Sequence, residues 1–435
     1  MSGIAEDSPG AGINIGAIPW PIEVEPDAVR ERFRAARRSG RPRYLWPEVE
    51  PAAWREGLRE IERVTRDILA GRTDALRDGD PRALGIAAFT SGMGPLLGFW
   101  VERGDLDAPE PARALFLLHL HHGRARSRTQ RAILDRALIA LRDQNIDPAV
   151  LKSTATGALY FPEPGVRTGV DIDLIVSPAE FTRAEHALRH SGHERVGGQT
   201  SPRKSDWRVP GMAPWPRSLE MLHSGAHYGI DLHESLTRNF FGVRRLTIEG
   251  DTEQIDVRGA TFRVLSQPAR LAFHALHASE GLDNLTLIRL VEIVLMIRHD
   301  TGRSLDWNDL VECLRQAGAL RFAWPAFALA DRLAPGTVDP AALRTLQDAA
   351  TPAMRHVVSG LSPSDAQRLD TLALRERFMW CSGPADHARR LAHMLLPSPA
   401  GRSPTRLATL YADRLWRIVR GNVGIARPEP DEPND

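Results

Sequence analysis

The sequence predicts a helix-rich α+β fold in which a small mixed β-sheet core is flanked by an N-terminal and a C-terminal helical domain. Three observations lead there. Residues 46–145 place apolar side chains at helical spacing. The stretch Val170-Asp171-Ile172-Asp173-Leu174-Ile175-Val176 alternates as a strand does and runs into a helix start. From Ser266 onward the helical period returns.

Residues 1–42 are rich in Gly, Pro and charge without a sustained period, and read as a flexible arm. The N-terminal helical region, 43–147, closes with Ile133, Leu134, Ala137, Leu138 and Leu141 on one helical face, and Asn145 with Pro148 marks its stop. The sheet core, 148–265, opens on the short strand Val150-Leu151-Lys152. After the central strand, Ser177-Pro178-Ala179-Glu180 has the form of a capping box, Phe181, Ala184 and Leu188 supply a buried stripe, and Gly192 ends that helix. Further strands are expected at 193–196, 207–209, 219–223 and 229–233. The C-terminal helical domain, 266–426, begins with a helix carrying His274 and His277, followed by an apolar helix over 285–298 in which Arg289 and Glu292 are spaced to pair. Its last helix is expected from Ser403 to about Arg420, and the Pro- and Asp-rich tail 427–435 reads as disordered.

Composition narrows the function classes. The chain has 56 basic against 55 acidic residues, so no large single-signed field is available to hold a nucleic acid by bulk charge. Its two cysteines, Cys313 and Cys381, make neither a disulfide framework nor a zinc cluster, and a reducing cytoplasm is the simple inference. Residues 1–25 lack the pattern of a signal peptide, and no segment has the apolar length of a membrane span, so no membrane partner is expected. Only Lys152 and Lys204 are lysine; every other basic residue is arginine. The run His119, His121, His122, Arg124, Arg126, Arg128 and Arg131 reads as a solvated helix face, because no carboxylate is near it in sequence to complete a metal site.

The chemistry concentrates on the central strand. Side chains alternate along it, so Asp171 and Asp173 point one way while Val170, Ile172 and Leu174 point into a core. Two carboxylates a few Å apart on one face repel one another unless a cation lies between them, which is the setting of a hard divalent ion such as Mg²⁺. Lys152 falls a short way before the pair, where a compact ammonium can meet phosphate oxygens. A later strand, Gly229-Ile230-Asp231-Leu232-His233, repeats the pattern with Asp231 between apolar neighbours. If it lies beside the first, three carboxylates converge, enough to hold two Mg²⁺ ions.

The ordered set Leu151-Lys152-Ser153, Arg167, Asp171-Ile172-Asp173-Leu174-Ile175-Val176 and Ile230-Asp231-Leu232-His233 resembles the nucleotidyltransferase superfamily. The likeness is to its bacterial branch of uncharacterised nucleotidyltransferases, some of which accompany natural-product gene clusters. It extends over about residues 50–335 and includes Leu305-Asp306-Trp307 at a helix start. Two departures stand out. Ser153 and Thr154 stand where members carry a glycine that lets the backbone approach a triphosphate, although both hydroxyls can donate to phosphate. Glu234 follows His233 where the branch often has tryptophan.

The resemblance implies metal-dependent transfer of a nucleoside monophosphate, AMP from ATP, to an unidentified small-molecule or peptide acceptor with release of pyrophosphate. In that reading Lys152, Ser153, Thr154 and Arg167 bind the nucleotide. Asp171, Asp173 and Asp231 hold Mg²⁺, with Asp231 alternatively serving as general base. His233, His277 and Glu292 are the candidates for the acceptor pocket. Two other readings stay open: a non-catalytic member that binds a nucleotide or a peptide partner, and a helical scaffold in which the aspartates are incidental.

Overall fold

A computed structural model describes residues 12–38, 45–196, 203–210, 217–225, 228–282, 284–368, 376–395 and 412. The helix expected from Ser403 and the tail from 427 lie outside the described residues, Ala412 apart.

The stretch read as an arm contains helix α1 (Pro26–Arg38), with Val29 fully buried and the Val24 amide donating to the Arg217 carbonyl at 2.8 Å. In α2 (Pro51–Leu69), Trp54, Leu58, Ile61 and Thr65 recur at the spacing of one helical face and are all buried. Short strands β1 (Asp74–Ala75) and β2 (Leu106–Asp107) pair in parallel around α3 (Pro81–Thr90) and α4 (Gly94–Arg103). Asp80 caps α3 by accepting from the Arg82 and Ala83 amides. The α3–α4 pair is bent by 114° and mostly buried, and among the described residues no single helix is long and apolar enough to cross a membrane.

Helix α5 (Ala112–Arg142) is 31 residues long, roughly 46 Å at 1.5 Å per residue. Its first half packs into the helical core; its second half presents Ile133, Leu134, Ala137, Leu138 and Leu141 to the sheet, as their spacing predicts. Strand β3 (Ala149–Leu151) leads into α6 (Lys152–Leu159), then come β4 (Asp171–Ile175) and α7 (Phe181–His190). Strands β5 (Glu194–Val196), β6 (Lys204–Arg208) and β7 (Gly229–His233) follow. Residues 219–223, expected to be a strand, form none. Beyond β7 come two hairpins that the sequence reading did not assign: β8 (Thr237–Phe240) with β9 (Arg244–Thr247), and β10 (Thr252–Val257) with β11 (Ala260–Leu265). The second turns through Arg258 and Gly259, both at positive φ (52° and 74°), as a tight two-residue loop requires.

The seven-stranded sheet has the order β10-β11-β3-β4-β7-β6-β5 and is mixed, with β4 and β7 parallel at its centre. Ile172, Leu174, Ile230 and Leu232 face α5 and α7 with no measurable exposure. Val170, expected in the core, is 45% exposed, because the strand begins only at Asp171 and Val170 sits in the bend before it.

The chain then returns to helices: α8 (Ala269–Glu280), α9 (Leu287–Asp300), α10 (Trp307–Gln316), α11 (Leu320–Leu333), α12 (Pro340–Ala349), α13 (Pro352–Ser359) and α14 (Pro384–Leu395). Asp306 caps α10 through the Asn308 amide at 2.7 Å. Helices α8–α13 and α2–α5 share one continuous core, in which Ile61, Leu97 and Phe116 meet Leu276, Leu290 and Phe327. Burying each such side chain contributes about 1.5–3 kcal/mol. Glu62 stitches the two ends of the chain together by accepting from the Ser364 amide (2.9 Å) and hydroxyl (2.5 Å).

Candidate active site

The site lies on the sheet face opposite the apolar one. Strands β4 and β7 are neighbours, with Asp173 opposite Asp231 and Asp171 opposite Gly229. Pleat alternation therefore brings Asp171, Asp173, Asp231 and His233 to one face. Strand β6 runs antiparallel along β7, with Asp206 opposite Asp231 and Lys204 opposite His233. Lys152 arrives from the other side, directly after β3, whose Leu151 stands opposite Asp173. Its backbone is left-handed (φ 49°), which costs a non-glycine residue about 1–2 kcal/mol. From this turn its Nζ contacts Asp173 Oδ1. Lys204 Nζ lies 2.7 Å from Asp231 Oδ2 and 2.9 Å from Asp206 Oδ1. Both lysines of the chain are thus counter-ions of this face.

Matched register does not make the two carboxylates alike. Asp173 is 1% exposed; burial pushes its pKa up, but the His233 hydrogen bond and the Lys152 ammonium outweigh it and hold the group at about 2. His233 Nε2 lies 3.0 Å from Asp173 Oδ1, and burial pulls the ring's own pKa down, so the ring is neutral and donates its Nε2 proton. Burial pushes Asp231 up to about 7, helped by repulsion from Asp173 and Asp171 and opposed by Lys204.

Asp171 and Asp173 line a cavity of about 410 Å³ together with Lys152, Ser153 and Arg167; Asp231 and His233 do not line it. The wall from α8 and α9 carries His274, His277, Arg289 and Glu292. Glu292 is not free to meet an acceptor: it accepts from Arg167 Nη2 at 2.9 Å and from the Thr156 hydroxyl. The expected Arg289–Glu292 pair is therefore replaced by Arg167–Glu292, and among the described residues the Arg289 side chain has no ion-pair partner. His277 Nδ1 is buried there without a hydrogen-bond partner. His233, expected in the acceptor pocket, is placed against Asp173 instead.

Ser153 is buried, and a Cβ on Gly169 would come within 2.3 Å of its Oγ. Gly169, on the facing loop, thus leaves room for the Ser153 hydroxyl. Thr154 faces a second cavity, of about 560 Å³, that shares Ser153, Arg167 and Gly169 with the first.

One positioning residue escaped the sequence reading. Arg126, expected with its run on a solvated face, is fully buried, and His119 and His122 of that run are buried too. Its Nε donates to the Gly169 carbonyl and its Nη2 to the Val170 carbonyl, both at 3.0 Å, while its guanidinium lies 4.1 Å over the Tyr228 ring. Gln130 adds a donor to Gly169 at 2.9 Å. Helix α5 thereby fixes the residues just ahead of β4 and of β7. The signal was in the period: Arg126 and Gln130 continue the stripe of Ile133, Ala137 and Leu141 at helical spacing.

Ligand atoms of Asp173, Asp231 and His233 lie within 4.8 Å of one another, and α5 brings His122 beside His223 and Glu23 in a second such group. His223 Nδ1 accepts from the Gly225 amide at 3.0 Å, so its Nε2 carries the proton and donates to Glu23 at 2.6 Å. That tautomer leaves His223 no lone pair for a cation.

Residues 78–335, more than half of the chain, match the family described as uncharacterised nucleotidyltransferase. A solved structure, an antigenic nucleotidyltransferase-like protein from Paracoccidioides brasiliensis, is similar at 17% identity and a TM-score of 0.24, over 43% of this chain and 88% of that one. No curated protein matches the chain.

Proposed function

The chain belongs to the family of uncharacterised nucleotidyltransferases, and from that premise we propose that it is a metal-dependent enzyme moving AMP from ATP to an acceptor. The observation that carries this reading is the placement of Asp171 and Asp173 in one cavity with Lys152, Ser153 and Arg167. The donor set fits a hard divalent ion: Asp171 has no side-chain partner among the described residues, and the contacts of Asp173 fall on Oδ1. Mg²⁺ would be held by these two carboxylates, and when bound it supplies charge neutralisation for the phosphates and for the attacking oxygen.

The residues of the chain do the rest. Lys152 and Arg167 bring positive charge to the triphosphate, and Ser153 at the start of α6 offers its hydroxyl and amide, with Thr154 on the adjoining cavity. An acceptor hydroxyl in the cavity attacks the α-phosphorus, the bond from that phosphorus to the bridging oxygen of pyrophosphate breaks, and a carboxylate of this face takes the hydroxyl proton. Asp231, on the same face but outside the cavity lining, with a pKa near 7, is suited to receive that proton through an intervening water. His277, whose side chain lines the cavity, is the candidate to orient the acceptor. Alignment and charge neutralisation supply the acceleration, without a protein nucleophile.

One observation favours the non-catalytic alternative, binding of a nucleotide or a peptide: Asp173 and Asp231 already have internal cations. Incubation with a metabolite extract and ATP labelled at the α or the γ phosphate separates the two. Transfer predicts a new product carrying the α label only, absent for Asp171→Asn. A product carrying the γ label, or no product from any extract, would defeat the reading.

A further inference from the structure

The chain contains two lysines among 56 basic residues, and the fold delivers both to one sheet face. They do not play the same part there. Lys152 shares Oδ1 of Asp173 with His233, and Asp173 still lines the cavity beside Asp171. Lys204 is instead clasped between two carboxylates from adjacent strands, 2.7 Å from Asp231 and 2.9 Å from Asp206, and Asp231 does not reach the cavity wall. An ammonium is a compact point charge that fits between two carboxylates, where a planar guanidinium would meet only one of them squarely. Three carboxylates on a nucleotidyl-transfer face raise the expectation of two divalent ions, yet the second position already holds a cation tethered to the protein.

We propose that Lys204 is a resident counter-ion that restricts this site to a single divalent cation, which Asp171 and Asp173 would hold, with its ammonium standing on Asp231 in place of a second ion. The inference rests on the metal-dependent reading above and deepens it. A divalent ion at Asp231 would have to displace an ammonium held by two carboxylates, or sit beside it against like-charge repulsion. Lys204 is a positioning residue in this account: it fixes Asp231 and its charge, while Asp171 and Asp173 take the metal.

The test is the number of Mn²⁺ ions bound per chain, measured without nucleotide from the electron paramagnetic resonance signal of free Mn²⁺ during titration. The wild type is expected to bind one ion, lost in Asp171→Asn. Lys204→Met, matched in volume and uncharged, is expected to bind two, and Lys204→Met combined with Asp231→Asn to return to one. Thermal melting checks that each variant folds, and Lys204→Arg, which keeps the positive charge on Asp231, is expected to stay at one ion. Two ions in the wild type, or one in a folded Lys204→Met, would overturn the proposal while leaving metal dependence intact. No ion in the wild type at millimolar Mn²⁺ would remove both.

Discussion

The two faces of β4 and β7 are made from alternate residues of the same ten, and they behave as different materials. On one, Ile172, Leu174, Ile230 and Leu232 are sealed between the sheet and helices α5 and α7. On the other, Asp171, Asp173, Asp231 and His233 are spaced by the same pleat, but Asp173 is held by Lys152 from the start of α6, Asp231 by Lys204 from β6, and the backbone ahead of Asp171 by the α5 clamp. The apolar face needs only neighbours of the right size. The charged face needs particular cations at particular positions, because each buried carboxylate costs free energy unless it is paired. Stability is therefore written into local alternation, and chemistry into long-range strand order.

Three perturbations bear on that difference, taken from the largest effect to the smallest. Truncating the apolar face by Leu174→Ala should cost about 2–5 kcal/mol of unfolding free energy, read from urea denaturation. A loss below 1 kcal/mol would mean that this face is not the packed one. Replacing Arg126 by Met strips donors from the Gly169 and Val170 carbonyls and should cost about 1–3 kcal/mol, with a weaker affinity for Mg²⁺-ATP because the residues ahead of Asp171 lose their anchor. An unchanged nucleotide affinity in a folded, destabilised variant would confine Arg126 to stability. Gly169→Ala drives a methyl into Ser153 Oγ and should cost roughly 1–3 kcal/mol as an overpacking change; adding Ser153→Gly should restore most of the loss in thermal melting. No recovery in the double variant would show that Gly169 does not make room for Ser153.

The same division explains how much could be read in advance. Alternation sufficed to put Asp171 and Asp173 on one side of a strand and Ile172 and Leu174 on the other, and helical spacing sufficed for the stripe from Ile133 to Leu141. Gly192, at φ 88°, ends α7 where expected because the left-handed turn favours glycine. The carboxylate partners were harder. Lys204 joins Asp231 only because β6, β7 and β4 are adjacent, a pairing that spans residues with no local signal for their order. Glu292 pairs with Arg167, 125 residues away, in preference to Arg289 one turn along its own helix, a choice that spacing within the helix cannot reveal. Val170 lies one residue outside β4, a boundary that alternation alone does not set, and hairpins β8–β9 and β10–β11 turn at Phe241-Gly242 and Arg258-Gly259, tight-turn dipeptides at positive φ.

The central claim is that the charged face is a metal-dependent nucleotide site, and calorimetric titration with ATP tests it most directly. The wild type is run with and without Mg²⁺ beside Asp173→Asn, all three checked for folding by thermal melting. The account predicts saturable binding that requires Mg²⁺ and is lost in the variant. Binding of equal strength without Mg²⁺, or in the variant, would contradict it.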